Sequence, residues 1–184
     1  MIKGTHGTCT SNADSIMADM SFRASTVGLR GAGAYFWGYH SDEAKDDAKE
    51  LAVCWWGIET KRGNYSKSQD KRCSVIYVDF TIENKDVEVL DITEPEINET
   101  FRTYSKKVLD RVVTKDANDV SQVYDMFISL LEEKAKRNFK LIHARVQSPG
   151  GYDSGLPKDV AGTPSCYIAR DTSCVNIKSR EVVI

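Results

Sequence analysis

The apolar residues of this chain change period several times, and never in the regular alternation that a doubly wound parallel sheet requires. Val75-Ile76-Tyr77-Val78-Asp79-Phe80-Thr81-Ile82 is β-branched and aromatic, and predicts a strand. Further strands are predicted at Ile2 to Cys9 (ending near Gly7), Val87 to Ile92, Leu141 to Val146, Cys166 to Ala169 and Val175 to Ile177, the last extending toward Val183. Helical spacing appears between them. Ala13, Ile16, Met17 and Met20 follow a cap at Ser11 or Asn12. A second helix opens at Ser41-Asp42-Glu43 and runs to about Trp56, with Ala44, Ala48, Leu51, Ala52 and Trp55 on one face. A third spans about 117 to 138 behind Asn118, with Val123, Phe127, Leu130 and Leu131 in its buried stripe. The fold class is therefore α+β. A length of 184 residues suits one domain, 1–184, rather than two.

Three segments interrupt this pattern. Residues 21–34 are rich in serine, threonine and glycine, and Gly28, Gly31 and Gly33 mark backbone that comes close to another group. Residues 60–73 are polar and read as a surface loop, with Lys61, Arg62, Lys67, Lys71 and Arg72 forming a basic strip beside Tyr65. Residues 147–164 form a long loop bearing glycine and proline, a length associated with function. A net charge of −2 gives no global basic excess for nucleic acid, which leaves only that strip. No apolar run approaches the ~18 residues of a membrane span, so no membrane partner is expected. His6, Asp14 and Asp19 interrupt the start of the chain, where a secretory signal would need a continuous apolar core. The five cysteines include no Cys-x-x-Cys pair, which predicts free thiols in a reducing compartment and no metal site. No G-x-G-x-x-G follows a strand, so a dinucleotide would not be held in a Rossmann manner.

Three separated stretches carry a resemblance. They are Thr5-His6-Gly7-Thr8, Leu29-Arg30-Gly31-Ala32-Gly33-Ala34-Tyr35-Phe36, and Cys166-Tyr167-Ile168-Ala169-Arg170-Asp171 running on to Val175-Asn176-Ile177-Lys178. Together the chain resembles the ADP-ribosyltransferase superfamily, in the diphtheria-toxin and poly(ADP-ribose) polymerase branch whose site is read as His-Tyr-Glu. The last stretch is similar to that family's E-Y-I-V-Y-D…V-N-L-K almost residue for residue, except that Cys166 stands where the glutamate belongs. The resemblance implies split mixed/antiparallel sheets with flanking helices, and NAD+ as substrate. It implies that His6 donates to the ribose 2′-hydroxyl, that Gly7 clamps the nicotinamide carboxamide through its backbone, and that Tyr35 stacks on the nicotinamide. Thr8, Gly33 and Phe36 complete the implied binding set, and Cys166 takes the catalytic position.

Members without the glutamate are mono-transferases or inactive. The resemblance therefore implies a mono-ADP-ribosyltransferase, a bacterial or phage-related toxin or effector in the cytoplasm of its producer or target cell. Its acceptor would be a protein or a nucleic acid, and an antitoxin or inhibitor protein would restrain it. The alternative is a catalytically inactive module that binds NAD or ADP-ribose.

The residues themselves bear on the departure. A thiol with an ordinary pKa of about 8.5 is a poor stand-in for a carboxylate. Asp153, Asp159 and Asp171 are candidates to replace it, with Gln147 at the start of the adjacent loop. A third possibility is a cysteine hydrolase using Cys166 with His143 or His6, although no nucleophile elbow surrounds Cys166. Trp37, Trp55 and Trp56 are expected in the core and His40 on the surface, with a place lining the adenosine side as the alternative for Trp37 and His40, just past Tyr35.

Overall fold

A single strand at the start of the chain carries most of the architecture. The computed structural model describes residues 1–26, 28–110 and 117–183, with the backbone alone for 117, 158 and 159. The elements run β1 (Ile2–Cys9), α1 (Thr10–Asp19), β2 (Ala34–Tyr39), α2 (Asp42–Lys61), β3 (Cys73–Phe80), α3 (Lys85–Glu88) and β4 (Val89–Asp91). They continue with α4 (Pro95–Leu109), α5 (Ala117–Ala135), β5 (Leu141–Arg145), α6 (Lys158–Ala161), β6 (Ser165–Ala169) and, after a 3-10 turn at Thr172–Cys174, β7 (Val175–Val182).

Among the described residues the seven strands form one mixed sheet in the order β4-β5-β6-β2-β1-β3-β7. The β4–β5 pair is parallel and the others are antiparallel. The fold is α+β, as its sequence pattern predicts. In place of two split sheets there is one continuous sheet, opened locally between β1 and β2. β1 pairs with β3 along its whole length, from Ile2↔Phe80 to Cys9↔Cys73. On its other edge it pairs with β2 only at Lys3↔Tyr39, Gly4↔Gly38 and Thr5↔Trp37, and beyond that the two strands part.

Helix α2 is seated on β1 at the point of parting. Ser41 caps it by accepting the Ala44 amide at 3.3 Å, and Asp42 and Glu43 lie in its first turn, where the helix dipole favours negative charge. The Thr5 hydroxyl donates to the Ala48 carbonyl at 2.7 Å. At Gly7 a Cβ atom would fall 2.0 Å from the Ala52 carbonyl oxygen, so no larger residue fits under the helix. One apolar cluster packs Ala13 and Phe22 against Phe36, Ile76, Val78 and Phe80. Another packs Ile142, Ala144, Cys166 and Ile168 against Ile128 of α5, with Ile97 and Phe101 of α4 beside them.

Several element boundaries differ from those predicted. α1 starts at Thr10, directly from the strand and without a side-chain cap; Ser11 instead accepts the Asp70 amide at 2.8 Å. α2 continues past Trp56 to Lys61. Asn84 caps a helical turn at Lys85–Glu88, which shortens the strand predicted from Val87. The sequence reading places only a turn around Pro95, yet Pro95 begins a fifteen-residue helix whose Ile97 and Phe101 pack inward. α5 ends at Ala135, and Lys136 adopts a left-handed φ of 52°.

Replacing Gly7 by alanine is expected to destabilise the chain by at least about 1–3 kcal/mol, because the added methyl meets helix backbone rather than a movable side chain. Urea unfolding of the variant beside the wild type measures this.

Candidate functional site

Where β1 and β2 separate, they leave a cleft of about 980 Å3, at the upper end of the roughly 300–1,000 Å3 usual for small-molecule sites. Its walls include His6, Gly7 and Thr8 of β1, Tyr35, Phe36 and Trp37 of β2, Gly28 to Arg30 of the preceding loop, and Cys166 of β6. The three separated sequence stretches therefore converge on one cavity. Gly33 also borders it.

His6 sits at the fork. Its Nδ1 lies 2.9 Å from the Tyr35 carbonyl oxygen. A carbonyl only accepts, so Nδ1 carries the proton. The ring is enclosed by Phe22 at 5.2 Å and Phe36 at 5.7 Å between centroids. That burial pulls its pKa below the ordinary 6.5, although the bond to Tyr35 acts the other way. Neutral His6 with Nδ1 protonated leaves Nε2 as a lone-pair acceptor, with no protein partner among the described residues. This differs from the implied donor role, because the carbonyl of Tyr35 fixes the tautomer.

Tyr35 is held by the glycine loop. Its hydroxyl donates to the Gly31 carbonyl at 2.5 Å and accepts the Arg30 amide at 2.9 Å. Burial lifts its phenol far above the usual range, so it stays protonated. The loop glycines make room for this arrangement. A Cβ on Gly28 would lie 2.3 Å from the Tyr35 hydroxyl, and Gly33, with φ of 149°, would place one 2.4 Å from Ile168 Cγ2. Asp125 of α5 clamps the loop from outside, accepting the Ala32 amide at 3.0 Å and the Arg170 guanidinium at 2.6 Å. The Arg30 guanidinium lies 5.3 Å from the centre of the Tyr124 ring.

Cys166 is 4% exposed, and burial pushes its thiol up to about 12. It is a neutral thiol, neither a carboxylate substitute nor a thiolate nucleophile. The dyads suggested for a cysteine hydrolase are not assembled: His6 bonds Tyr35, and His143 bonds Ser165 and Asp91. Of the carboxylates proposed to replace the glutamate, Asp171 accepts the Ser173 amide beside the 3-10 turn, and exposed Asp153 accepts the Gly155 amide. Neither borders the cleft, and the side chain of Asp159 lies outside the described residues. Gln147 does reach the cleft wall.

The acidic side chains that border the cleft are Asp19 and Glu59. Glu59 is 15% exposed and accepts Arg62 at 2.8 Å as well as Asn64. Trp55 and Glu59 of α2 and Arg62, the residue that caps its end, form one stripe facing the cavity, with the Arg62 guanidinium 5.8 Å from the Trp55 ring centre. The signal for this wall is helical spacing, and ending the helix at Trp56 hides it. Trp37 borders the cleft and also packs, with Trp56, against the buried cluster of Ala52, Cys73, Val75 and Tyr77; Trp55 borders the cleft, and the Trp56 indole donates to the Lys71 carbonyl. His40 is exposed, as expected. Phe36 is 1% exposed and belongs as much to the core as to the cleft wall. The hydroxyl of buried Thr8 accepts the Asn12 side-chain amide at 3.4 Å.

No family model, curated protein or solved structure matches this chain. Among the described residues no helix is long and apolar enough to cross a membrane.

Because folding holds His6 below 6.5, the unfolded chain binds more protons as the pH falls from 6.5 toward the depressed folded value. Stability is expected to decline over that window by up to about 1.4 kcal/mol per pH unit from this group. Denaturant unfolding at a series of pH values, in wild type and His6→Gln, tests this: the variant should lose that component of the slope.

Proposed function

We propose that the cleft binds NAD+ and that the chain is a mono-ADP-ribosyltransferase of the His-Tyr branch. The observation that carries this reading is the fork itself. β1 and β2 part at His6, and His6, Tyr35 and Cys166 meet at one cavity from three distant stretches of sequence. Along the opened edges, strand N–H and C=O groups no longer pair with one another, a feature suited to holding a carboxamide.

On this reading His6 Nε2 accepts a hydrogen bond from a ribose hydroxyl, and the Tyr35 ring, held by the glycine loop, supplies the stacking surface. Gly7 sits on the opened edge of β1, although its missing side chain is required by α2 rather than by a ligand. Arg23 and Arg30 offer cationic groups to the pyrophosphate. The bond from the ribose C1′ to the nicotinamide nitrogen breaks, and nicotinamide leaves as a neutral molecule with the bonding pair. The acceptor's nucleophile attacks C1′ and loses its proton. Developing positive charge on the ribose calls for negative charge nearby, and Glu59 and Asp19 are the carboxylates that border the cleft. The neutral thiol of Cys166 supplies none, which favours single transfer over elongation to a polymer.

The acceptor is a protein or a nucleic acid, and such a transferase in the cytoplasm of a producer or target cell would be restrained by an inhibitor protein. A second reading, an NAD- or ADP-ribose-binding module without turnover, is favoured by the same buried thiol at Cys166.

Incubation with labelled NAD+ and lysate separates the two. The wild type is expected to label a macromolecule and release nicotinamide, and His6→Ala with Tyr35→Ala to reduce this by about 10²-fold or more. Protease or nuclease sensitivity of the label names the acceptor class. Binding of NAD+ without label or nicotinamide would establish the non-catalytic module. Cys166→Ser is expected to leave the labelling rate within about threefold, since neither side chain is ionised at neutral pH.

A further inference from the structure

Away from the cleft, β4, β5 and β6 bring together three side chains that the transferase reading does not use. Asp91 of β4 and His143 of β5 are register partners, so they share a face of the sheet. His143 is in turn the partner of Tyr167 on β6, and Ser165 lies two residues from Tyr167, hence on that same face. The His143 Nδ1 lies 2.9 Å from Asp91 Oδ2, and its Nε2 lies 3.0 Å from Ser165 Oγ. A carboxylate only accepts, so Nδ1 carries the proton and Nε2 is left to take the hydroxyl hydrogen of Ser165. That is the polarity a nucleophilic serine requires.

Each member is fixed by its own neighbours. Asp91 Oδ1 accepts both the Thr93 hydroxyl at 2.6 Å and the Thr93 amide at 2.9 Å, leaving Oδ2 for the histidine. Burial opposes ionisation of Asp91, yet the bonds from Thr93 and His143 outweigh it and hold the carboxyl below its ordinary range. The imidazole stacks on Tyr167, with centroids 4.7 Å apart and planes 22° apart. Gly38 of β2 permits that ring position, since a Cβ there would come 2.5 Å from the tyrosine ring. Arg145 faces Ser165 directly across β5–β6, and its guanidinium donates to the Thr163 carbonyl at 2.8 Å, which stations a positive charge beside the serine. His143 and Asp91 are 12% and 20% exposed at their side chains and Ser165 is half-buried, so the group is reachable from solvent. None of these residues borders the cleft.

We propose that Asp91, His143 and Ser165 form a second, serine-nucleophile centre that takes acyl esters, with Arg145 beside the developing oxyanion. Ser165 Oγ attacks the ester carbonyl carbon as its proton passes to His143 Nε2. The bond from that carbon to the leaving oxygen breaks, and the leaving alkoxide takes the proton. Water then repeats the sequence, releasing the carboxylic acid and restoring the serine. This centre is independent of NAD+ binding.

A fluorophosphonate probe, which a nucleophilic serine attacks with loss of fluoride, tests the proposal on the full chain by intact mass and peptide mapping. One adduct, on Ser165, is expected in the wild type and none at that position in Ser165→Ala. His143→Gln and Asp91→Asn should each slow its formation by roughly 10²-fold or more. The same wild-type protein should give a burst of nitrophenol from p-nitrophenyl acetate, lost in Ser165→Ala. An unmodified Ser165 in the wild type would overturn the proposal whatever the variants do, as would equally fast modification in either folded variant.

Discussion

The close approach of helix α2 to strand β1 is the contact on which the rest of the molecule depends. Gly7 lies directly beneath the Ala52 carbonyl, and the Thr5 hydroxyl satisfies the Ala48 carbonyl one turn earlier. A backbone-to-backbone approach of this kind leaves no room for adjustment, because neither partner has a rotamer to change. It seats α2 over the half of β1 that β2 has left, and so turns a gap between two strands into a walled cleft. The wall that α2 and its C-cap contribute, Trp55, Glu59 and then Arg62, follows from where the helix is pinned and from its continuing to Lys61.

The fork in the sheet carries a second consequence. A strand pair that opens leaves polar groups that must find partners. The Tyr35 carbonyl finds the His6 imidazole, which fixes the ring, its tautomer and its neutral state together. Tyr35 itself is held at its other end by the glycine loop, and that loop is tied to α5 through Asp125. The two side chains at the mouth of the cleft are thus set by packing and hydrogen bonds from four different elements. The proposed transfer would call on a mouth fixed in this way to orient a ribose and keep water out.

The β4–β5–β6 end of the sheet follows different physics from the fork at its middle. Asp91, His143 and Tyr167 lie side by side because strand register puts them there. The aromatic rings Phe36, Phe80 and Tyr167 form a continuous packed run from the cleft wall to His143, with neighbouring centroids 5.2 and 5.7 Å apart. The fork and the β4–β5–β6 end therefore rest on one core. The apolar middle, rather than either polar cluster, supplies the cohesion.

Much of the fold was legible in the sequence, since strands β1, β3, β5, β6 and β7 and helices α2 and α5 announce themselves by period and by β-branched content. Helix α4 was not, because a proline read as a turn signal also opens helices, and only packing of Ile97 and Phe101 decides between the two. Of the candidate site, His6, Gly7, Tyr35 and Cys166 were named through the family resemblance of three stretches, and Gly28, Gly31 and Gly33 pointed to close backbone approach. Glu59 and Asp19 were not, and Asp153 and Asp171 were named in their place, because position along the chain does not say which carboxylates share a cavity. The sequence by itself determined the elements and the residue types at the fork, through local sterics and hydrophobic period. Only the tertiary structure decided the tautomer of His6, the burial of Cys166 and the meeting of Ser165 with His143 and Asp91. Those depend on burial and on register between strands far apart in the chain, and neither is a local property.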